Sequence, residues 1–290
     1  MSRSRRFIRS VSRVIAQSTA IGVVILFLIP ILWMVVSSFK LPSDILTMPP
    51  RWLFTPTLDN YLAVLFGKRV IAGTTFPEVR GFPGHFLNSV LISLGATFCS
   101  LVIGTPAAYT MARFRFRGKR DLAFYVLSTR MAPPLAVLIP FYILFSHLRL
   151  LDTHIALLIV YTTFNLSFAI WMMRGFFSEI PTELEDAARV DGCSRYGAFA
   201  RVALPLAAPG LAATAIFCLL LSWNEFLFAL VLTSKVAKTA PVALYSFVTF
   251  HEVLWGSLFA AGTMVTLPVL VFTLLVQRNL VRGLTMGAIR

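Results

Sequence analysis

Long apolar runs divided by short polar ones set the pattern of this chain. Six runs, at residues 18–39, 86–112, 122–146, 154–177, 209–233 and 257–277, are each long enough to cross a bilayer, because a hydrocarbon core about 30 Å thick takes roughly 20 helical residues. The pattern predicts an all-α integral membrane protein of six transmembrane helices in a single domain, 18–277. A basic segment, 1–17, precedes it and a tail, 278–290, follows. The first run follows a basic start, as a secretory signal does. It is too long for one and no small-residue cleavage pattern follows, so it reads as a retained helix. Residues 40–85 hold six prolines and read as loop and turn, with one short surface helix at DNYLAVLF, 59–66. The apolar piece 241–250 is too short to span and reads as interfacial or re-entrant.

One polar stretch, 178–209, breaks the pattern near the middle. Thr182 followed by Glu185 has the spacing of a capping box and predicts a helix start. Leu184, Ala187 and Ala188 fall on one face, with Glu183 and Asp186 on another. Gly192 is the expected stop. A second short helix is expected over 194–203, with Phe199 and Val202 on its apolar side, before Pro205 and Pro209 lead into the fifth run. The expectation is a helix-turn-helix against a membrane face, with a small-residue surface and a carboxylate available to a partner. On spacing alone, an ordinary amphipathic connecting loop is the stronger reading.

Composition narrows the class. The chain is 58% hydrophobic and only 13% charged, against about 25% charged in soluble domains, which leaves no room for a large soluble domain. The net charge of +14 would suggest nucleic acid in a soluble protein. Here the basic residues flank the apolar runs. Seventeen of the 26 lie in the N-terminus, 113–121, the edge and body of 178–209, and the C-terminus; eight lie in the alternate loops. By the positive-inside rule both termini and the central stretch are cytoplasmic, and 40–85 and 234–256 face outward. Cys99, Cys193 and Cys218 have no paired or metal-ligand spacing and read as reduced packing residues; the four histidines are scattered, so no metal site is expected. Gly67-Lys68 and Gly118-Lys119 do not complete a phosphate-cradling loop. No nucleophile, base and acid can be assembled, so no catalytic residues, enzymatic chemistry or bound cofactor are expected of this chain. No internal repeat of the secondary-carrier kind stands out.

Arg130, Asn165, Asn224 and Glu225 stand out among the polar residues inside the runs. Intramembrane polar groups mark either helix-helix hydrogen bonds or a solute path. For Arg130, beside Pro133 and Pro134, a solute-path role and an anchor for carbonyls freed at a proline kink stand equal. Gly95, Gly104, Gly210 and neighbouring alanines allow close helix approach, within the chain or against a second subunit.

The central stretch resembles the signature of permease subunits of bacterial ABC importers, Glu-Ala-Ala, three residues, Gly, nine residues, Ile-x-Leu-Pro. Here Asp186-Ala187-Ala188, Gly192 and Val202-Ala203-Leu204-Pro205 match it without a gap, with Asp191 before the glycine. Asp186 stands for Glu and Val202 for Ile. RFRFRGKRD, IPFYILF, SWNEFLFALVLT, TAPVALYSF and QRNLVRGLTMGAIR are similar to the carbohydrate-uptake branch, which includes the six-helix permease of maltose importers. The resemblance implies a cytoplasmic coupling loop at 178–205, carried by Glu185, Asp186, Ala187, Ala188, Asp191, Gly192, Leu204 and Pro205, with either Glu185 or Asp186 pairing with an ATPase. It implies a second homologous permease, two ATPase subunits holding ATP and magnesium, an extracytoplasmic solute-binding protein and a sugar or polyol as substrate, in a bacterial inner membrane. Leu284 onward would reach toward the ATPases, and 234–256 would meet the binding protein. Another solute, such as a polyamine or peptide, or a stand-alone carrier, are the alternatives.

Overall fold

A computed structural model describes residues 3–71, 74–77, 81–249 and 253–286. Parts of the loops 40–85 and 234–256 (72–73, 78–80 and 250–252) and tail residues 287–290 lie outside the described residues. In chain order the elements are α1 (Arg3–Ser38), α2 (Pro42–Ile45), α3 (Asp59–Phe66), β1 (Lys68–Ile71), β2 (Thr74–Pro77), α4 (Phe82–Arg113), α5 (Lys119–Ser128), α6 (Pro134–His147), α7 (His154–Glu179), α8 (Thr182–Val190), α9 (Arg195–Ala198), α10 (Leu204–Leu206), α11 (Ala208–Trp223), α12 (Leu227–Leu232), α13 (Ala240–Leu244) and α14 (Trp255–Met286). They form two compact units, Met1–Gly81 with Ser246–Met264, and Phe82–Tyr245 with Val265–Arg290.

In the first unit the apolar part of α1, from Ile15 to Ser38, is long enough to cross a membrane. Its side chains from Ile21 to Ile29 stand exposed. The chain turns at Lys40, which the charge pattern placed among the outward loop cations. It is fully buried. Its Nζ donates to the Arg51 carbonyl at 2.8 Å and lies 4.5 Å from the centre of the Trp33 ring and 5.1 Å from that of Phe54, an arrangement in which carbonyl and ring faces replace water around the ammonium. Asn60 on α3 donates to the carbonyls of Ser38 and Lys40 at 2.9 and 2.8 Å. The short helix expected at 59–66 is present. The loop after it is not all turn: β1 and β2 pair antiparallel, Lys68 opposite Pro77 and Ile71 opposite Thr74. The β-branched residues there favour extended backbone, which the proline count obscured.

Four helices are uninterrupted and apolar enough to span: Ile15–Ser38, Phe82–Arg113, His154–Glu179 and Trp255–Leu274. Two of the six expected spans are broken. The run at 122–146 divides into α5 and α6, which meet at 93° across a 3₁₀ turn, Thr129–Met131. Proline supplies the cause. Pro134 has no N–H to continue a helix, and Pro133 drives Ala132 to an extended ψ of 129°. The run at 209–233 is α11, a non-helical step at 224–226, and then α12.

α4 and α7 lie along each other in the second unit, and α11 crosses both. The close approach is real at Gly104, where a Cβ would sit 3.0 Å from that of Ala169, and at Gly210, where it would enter the Phe176 ring. The core divides into one cluster around Ile92, Phe145, Leu157 and Phe228, and a second of Tyr109, Met173, Phe177 and Ala203.

Candidate functional site

The polar stretch 178–209 forms the expected helix pair. α8 starts at Thr182, but no capping box closes. Pro181 takes the cap position without a side-chain bond, and the Glu185 carboxylate turns inward instead. Its Oε1 accepts from Arg113 Nε at 2.7 Å and its Oε2 from the Tyr109 hydroxyl at 2.5 Å. Arg113 also donates from Nη2 to the Ile180 carbonyl at 2.8 Å. This pair is nearly closed to solvent, with side-chain exposures of 10% and 8%. An ion pair this buried stabilises only while both partners remain, and losing one leaves a charge stranded at a cost of about 3–5 kcal/mol.

Asp186, the next residue, points the other way. Its side chain is 66% exposed, and among the described residues its one ion pair is with Arg189, at 3.2 Å one turn along. Leu184, Ala187 and Val190 are exposed beside it, and Ala188 is half-buried. The two adjacent acids therefore face opposite environments.

α8 stops as expected. Gly192 has φ +93°, its N–H donates to Arg189 and the Cys193 N–H to Ala188, which closes a Schellman turn with Asp191 as the exposed C-cap. Ser194 then caps α9, its Oγ accepting from Gly197 N at 3.0 Å. The second helix outruns the expected 194–203. α9 passes into a π turn, Phe199–Ala203, and α10, ending at Leu206. Leu204 N–H reaches back five residues to Phe199, and Pro205, with no N–H, follows. Leu204 is half-buried and Pro205 exposed. A bend of 73° then leads into α11.

Sequence reasoning missed Arg113 and Tyr109. Arg113 was counted only as a loop cation. The available signal was their spacing, four residues apart on one helix face at the end of an apolar run.

Arg130, Asn165, Asn224 and Glu225 all line one cavity of about 420 Å³, with Tyr161, Phe164, Phe226 and Phe228 among its walls. It opens where the two broken runs have their breaks. Three of the four polar groups are committed within the chain. Asn165 donates to the Cys218 carbonyl at 3.1 Å and to Ser222 Oγ at 2.7 Å, joining α7 to α11. Asn224 donates to Leu220 O, and the Glu225 carboxylate accepts the first N–H groups of α12, from Phe228 and Ala229. Arg130 makes no hydrogen bond or ion pair among the described residues. Its guanidinium lies 4.9 Å from the centre of the Phe168 ring. It does not anchor the carbonyls freed at the proline break. No group of residues able to hold a metal ion occurs among the described residues.

Residues 100–286, which include the helix pair and the cavity, match the family model of the binding-protein-dependent transport system inner membrane component. The chain belongs to this family. It is a permease component of a membrane transport system and not an enzyme. It is similar to the trehalose transport system permease protein SugB of Mycobacterium tuberculosis, 39% identical over 84% of this chain and 92% of that one. It is also similar to the diacetylchitobiose uptake system permease protein DasC of Streptomyces coelicolor, 34% identical over 96% and 97%. Among solved structures it resembles a chain of a bacterial ABC transporter involved in the import of the acidic polysaccharide alginate. That match has a TM-score of 0.73 and 25% identity, and covers 96% of this chain and 98% of the other.

Proposed function

We propose that this chain is one of two homologous permeases in an ATP-driven importer of a sugar, polyol or sugar derivative, that it crosses the inner membrane six times with both termini in the cytoplasm, and that α8 docks on one of two ATPase subunits. One observation carries the docking: Asp186 stands exposed among Leu184, Ala187 and Val190, while its neighbour Glu185 is consumed inside the chain. An apolar patch carrying one uncommitted acid is a surface a basic-rimmed cleft can recognise. Asp186, and not Glu185, is then the acid that pairs with the ATPase. The carbohydrate class is supported by the trehalose, diacetylchitobiose and alginate transporters named above, and by a cavity that combines ring faces with polar groups. Arg130, whose side chain makes no hydrogen bond among the described residues, is the residue in that cavity that meets the solute. ATP binding and hydrolysis belong to the ATPase subunits, and solute arrives on an extracytoplasmic binding protein.

The test is reconstitution of both permeases, the ATPase and the binding protein in proteoliposomes. ATP-dependent uptake of the sugar held by the binding protein is expected. Asp186→Arg should cut ATPase co-purification by about tenfold or more, the usual size for reversing a charge at a docking surface. Uptake by this chain alone without ATP would identify a stand-alone carrier, and a polyamine or peptide on the binding protein would exclude the sugar reading.

A further inference from the structure

Glu185 sits at the centre of a network whose other members belong to a membrane helix. Arg113 and Tyr109 are one turn apart at the end of α4, and both reach the same carboxylate, one on each oxygen. The Arg113 fork also holds the Ile180 carbonyl, so one guanidinium grips both the approach to α8 and its first turn. The Tyr109 ring is enclosed by Phe177 of α7, 5.4 Å away, and Phe199 of the second short helix, 4.7 Å away. Among the described residues, Arg113–Glu185 is the only ion pair that joins α8 to another element.

We propose that Arg113, Tyr109 and Glu185 form a positioning tie that makes α4 move with α8, so that solute crosses in step with ATP hydrolysis only while the tie is closed. The inference rests on the docking role given to α8 above. The physical reason lies in how contacts bear load. Glu185 is the one buried residue of α8, so apolar packing does little by itself to bind that helix to α4. A two-point, charge-assisted pair away from water resists both push and pull and fixes orientation as well as distance. The adjacent acids divide the work: Asp186 faces the partner and Glu185 faces α4.

The test uses the complete importer in proteoliposomes and reads solute transported per ATP hydrolysed. Arg113→Lys keeps the charge but loses the fork. Glu185→Gln keeps the shape but loses the charge. Tyr109→Phe removes one hydrogen bond with the least risk to folding. Transport per ATP is expected to fall about tenfold in the first two, within the usual range of a coupling between sites, and less in Tyr109→Phe. ATPase capture should be unchanged, because Asp186 is untouched. Partial recovery is expected on exchanging the charges in Arg113→Glu/Glu185→Arg. A purely structural role would lower uptake and ATPase activity together, in proportion to assembled complex, with the ratio unchanged; that result overturns the tie. Should the charge variants fail to assemble, the ratio in Tyr109→Phe decides, and an unaltered value there overturns it as well. If Asp186→Arg leaves ATPase capture intact, the docking reading fails. If that variant behaves as expected while the tie variants couple normally, only the tie fails.

Discussion

Asp152 is the single residue with the most bonds to make and the least sequence warning. It occupies the turn between α6 and α7 with φ 58°, a conformation Asp tolerates better than most residues. Its carboxylate accepts backbone N–H groups from Ser234, Lys235, Val236 and Ala237, and the Ser234 hydroxyl. Partial burial alone would raise its pKa. The four N–H bonds outweigh burial and hold the carboxyl well below the usual carboxylate range. The sign follows from a depressed folded-state value: the tie stabilises the loop at every pH above the unfolded value near 4, and is lost as pH falls through the folded value. Hydrogen exchange at amides 234–237, corrected for intrinsic rate, should therefore show level protection from about pH 5 to pH 8. Asp152→Asn should lower that protection by about tenfold or more, the scale of bonds to a charged group. Protection that varied with pH across this window would contradict the assignment. Asp152 and loop 234–237 are more than eighty residues apart, and no local pattern links them. The same limit governed Glu185 and Asp186. The family register brought attention to both acids, but which one faces out depends on Arg113, more than seventy residues earlier. Gly192, by contrast, was legible because a Schellman turn is local.

Breaks in the elements were only partly legible. Hydropathy integrates over about 20 residues and so read 122–146 as one run across Pro133 and Pro134. The prolines themselves carried the correct local message. The step at 224–226 has neither Gly nor Pro, and only its polar pair Asn224-Glu225 hinted at it. These two breaks gather Arg130, Asn165, Asn224 and Glu225 at one cavity, yet the structure gives them different work. Asn165 is a buried cross-brace, and Asn165→Leu would strand Ser222 and the Cys218 carbonyl. It should destabilise the protein by about 1–3 kcal/mol, read as a lower Tm of the detergent-solubilised complex. Arg130 has no such bonds to lose. Arg130→Ala should leave Tm within about 0.5 kcal/mol of equivalent stability while uptake falls. An Arg130→Ala protein that unfolds, with uptake per folded complex unchanged, would return Arg130 to a structural role. The hairpin β1–β2 and the buried Lys40 show the converse limit: the proline count described 40–85 as loop and turn where it also holds a ladder, and the charge count gave no sign that Lys40 is buried.

At the scale of the whole molecule, α4 is the element that the two polar ends of the second unit share. Near its start Asn88 donates from Nδ2 to the carbonyls of Val236 and Lys238, and its Oδ1 accepts from His154 Nε2. At its end Arg113 holds Glu185. The 25 residues between them rise about 38 Å as helix, more than the roughly 30 Å of a hydrocarbon core. Loop 234–238 and the α8–α10 segment therefore belong on opposite sides of the membrane if α4 crosses it. The distribution of basic residues supports the proposed orientation: Arg113, Arg115, Arg117, Lys119 and Arg120 crowd the Glu185 end, as expected of a cytoplasmic face. Two exposed positions test both steps at once. Val236 is 64% exposed and Tyr196 77%, and neither holds a tie through its side chain. In a protein with the three native cysteines replaced, an impermeant maleimide should label Val236→Cys in cells whose inner membrane is intact. It should label Tyr196→Cys only after that membrane is opened. Equal labelling of both in sealed cells would mean that α4 does not separate two compartments. The reverse order would keep α4 as a span and overturn the orientation, placing Asp186 where no ATPase could reach it.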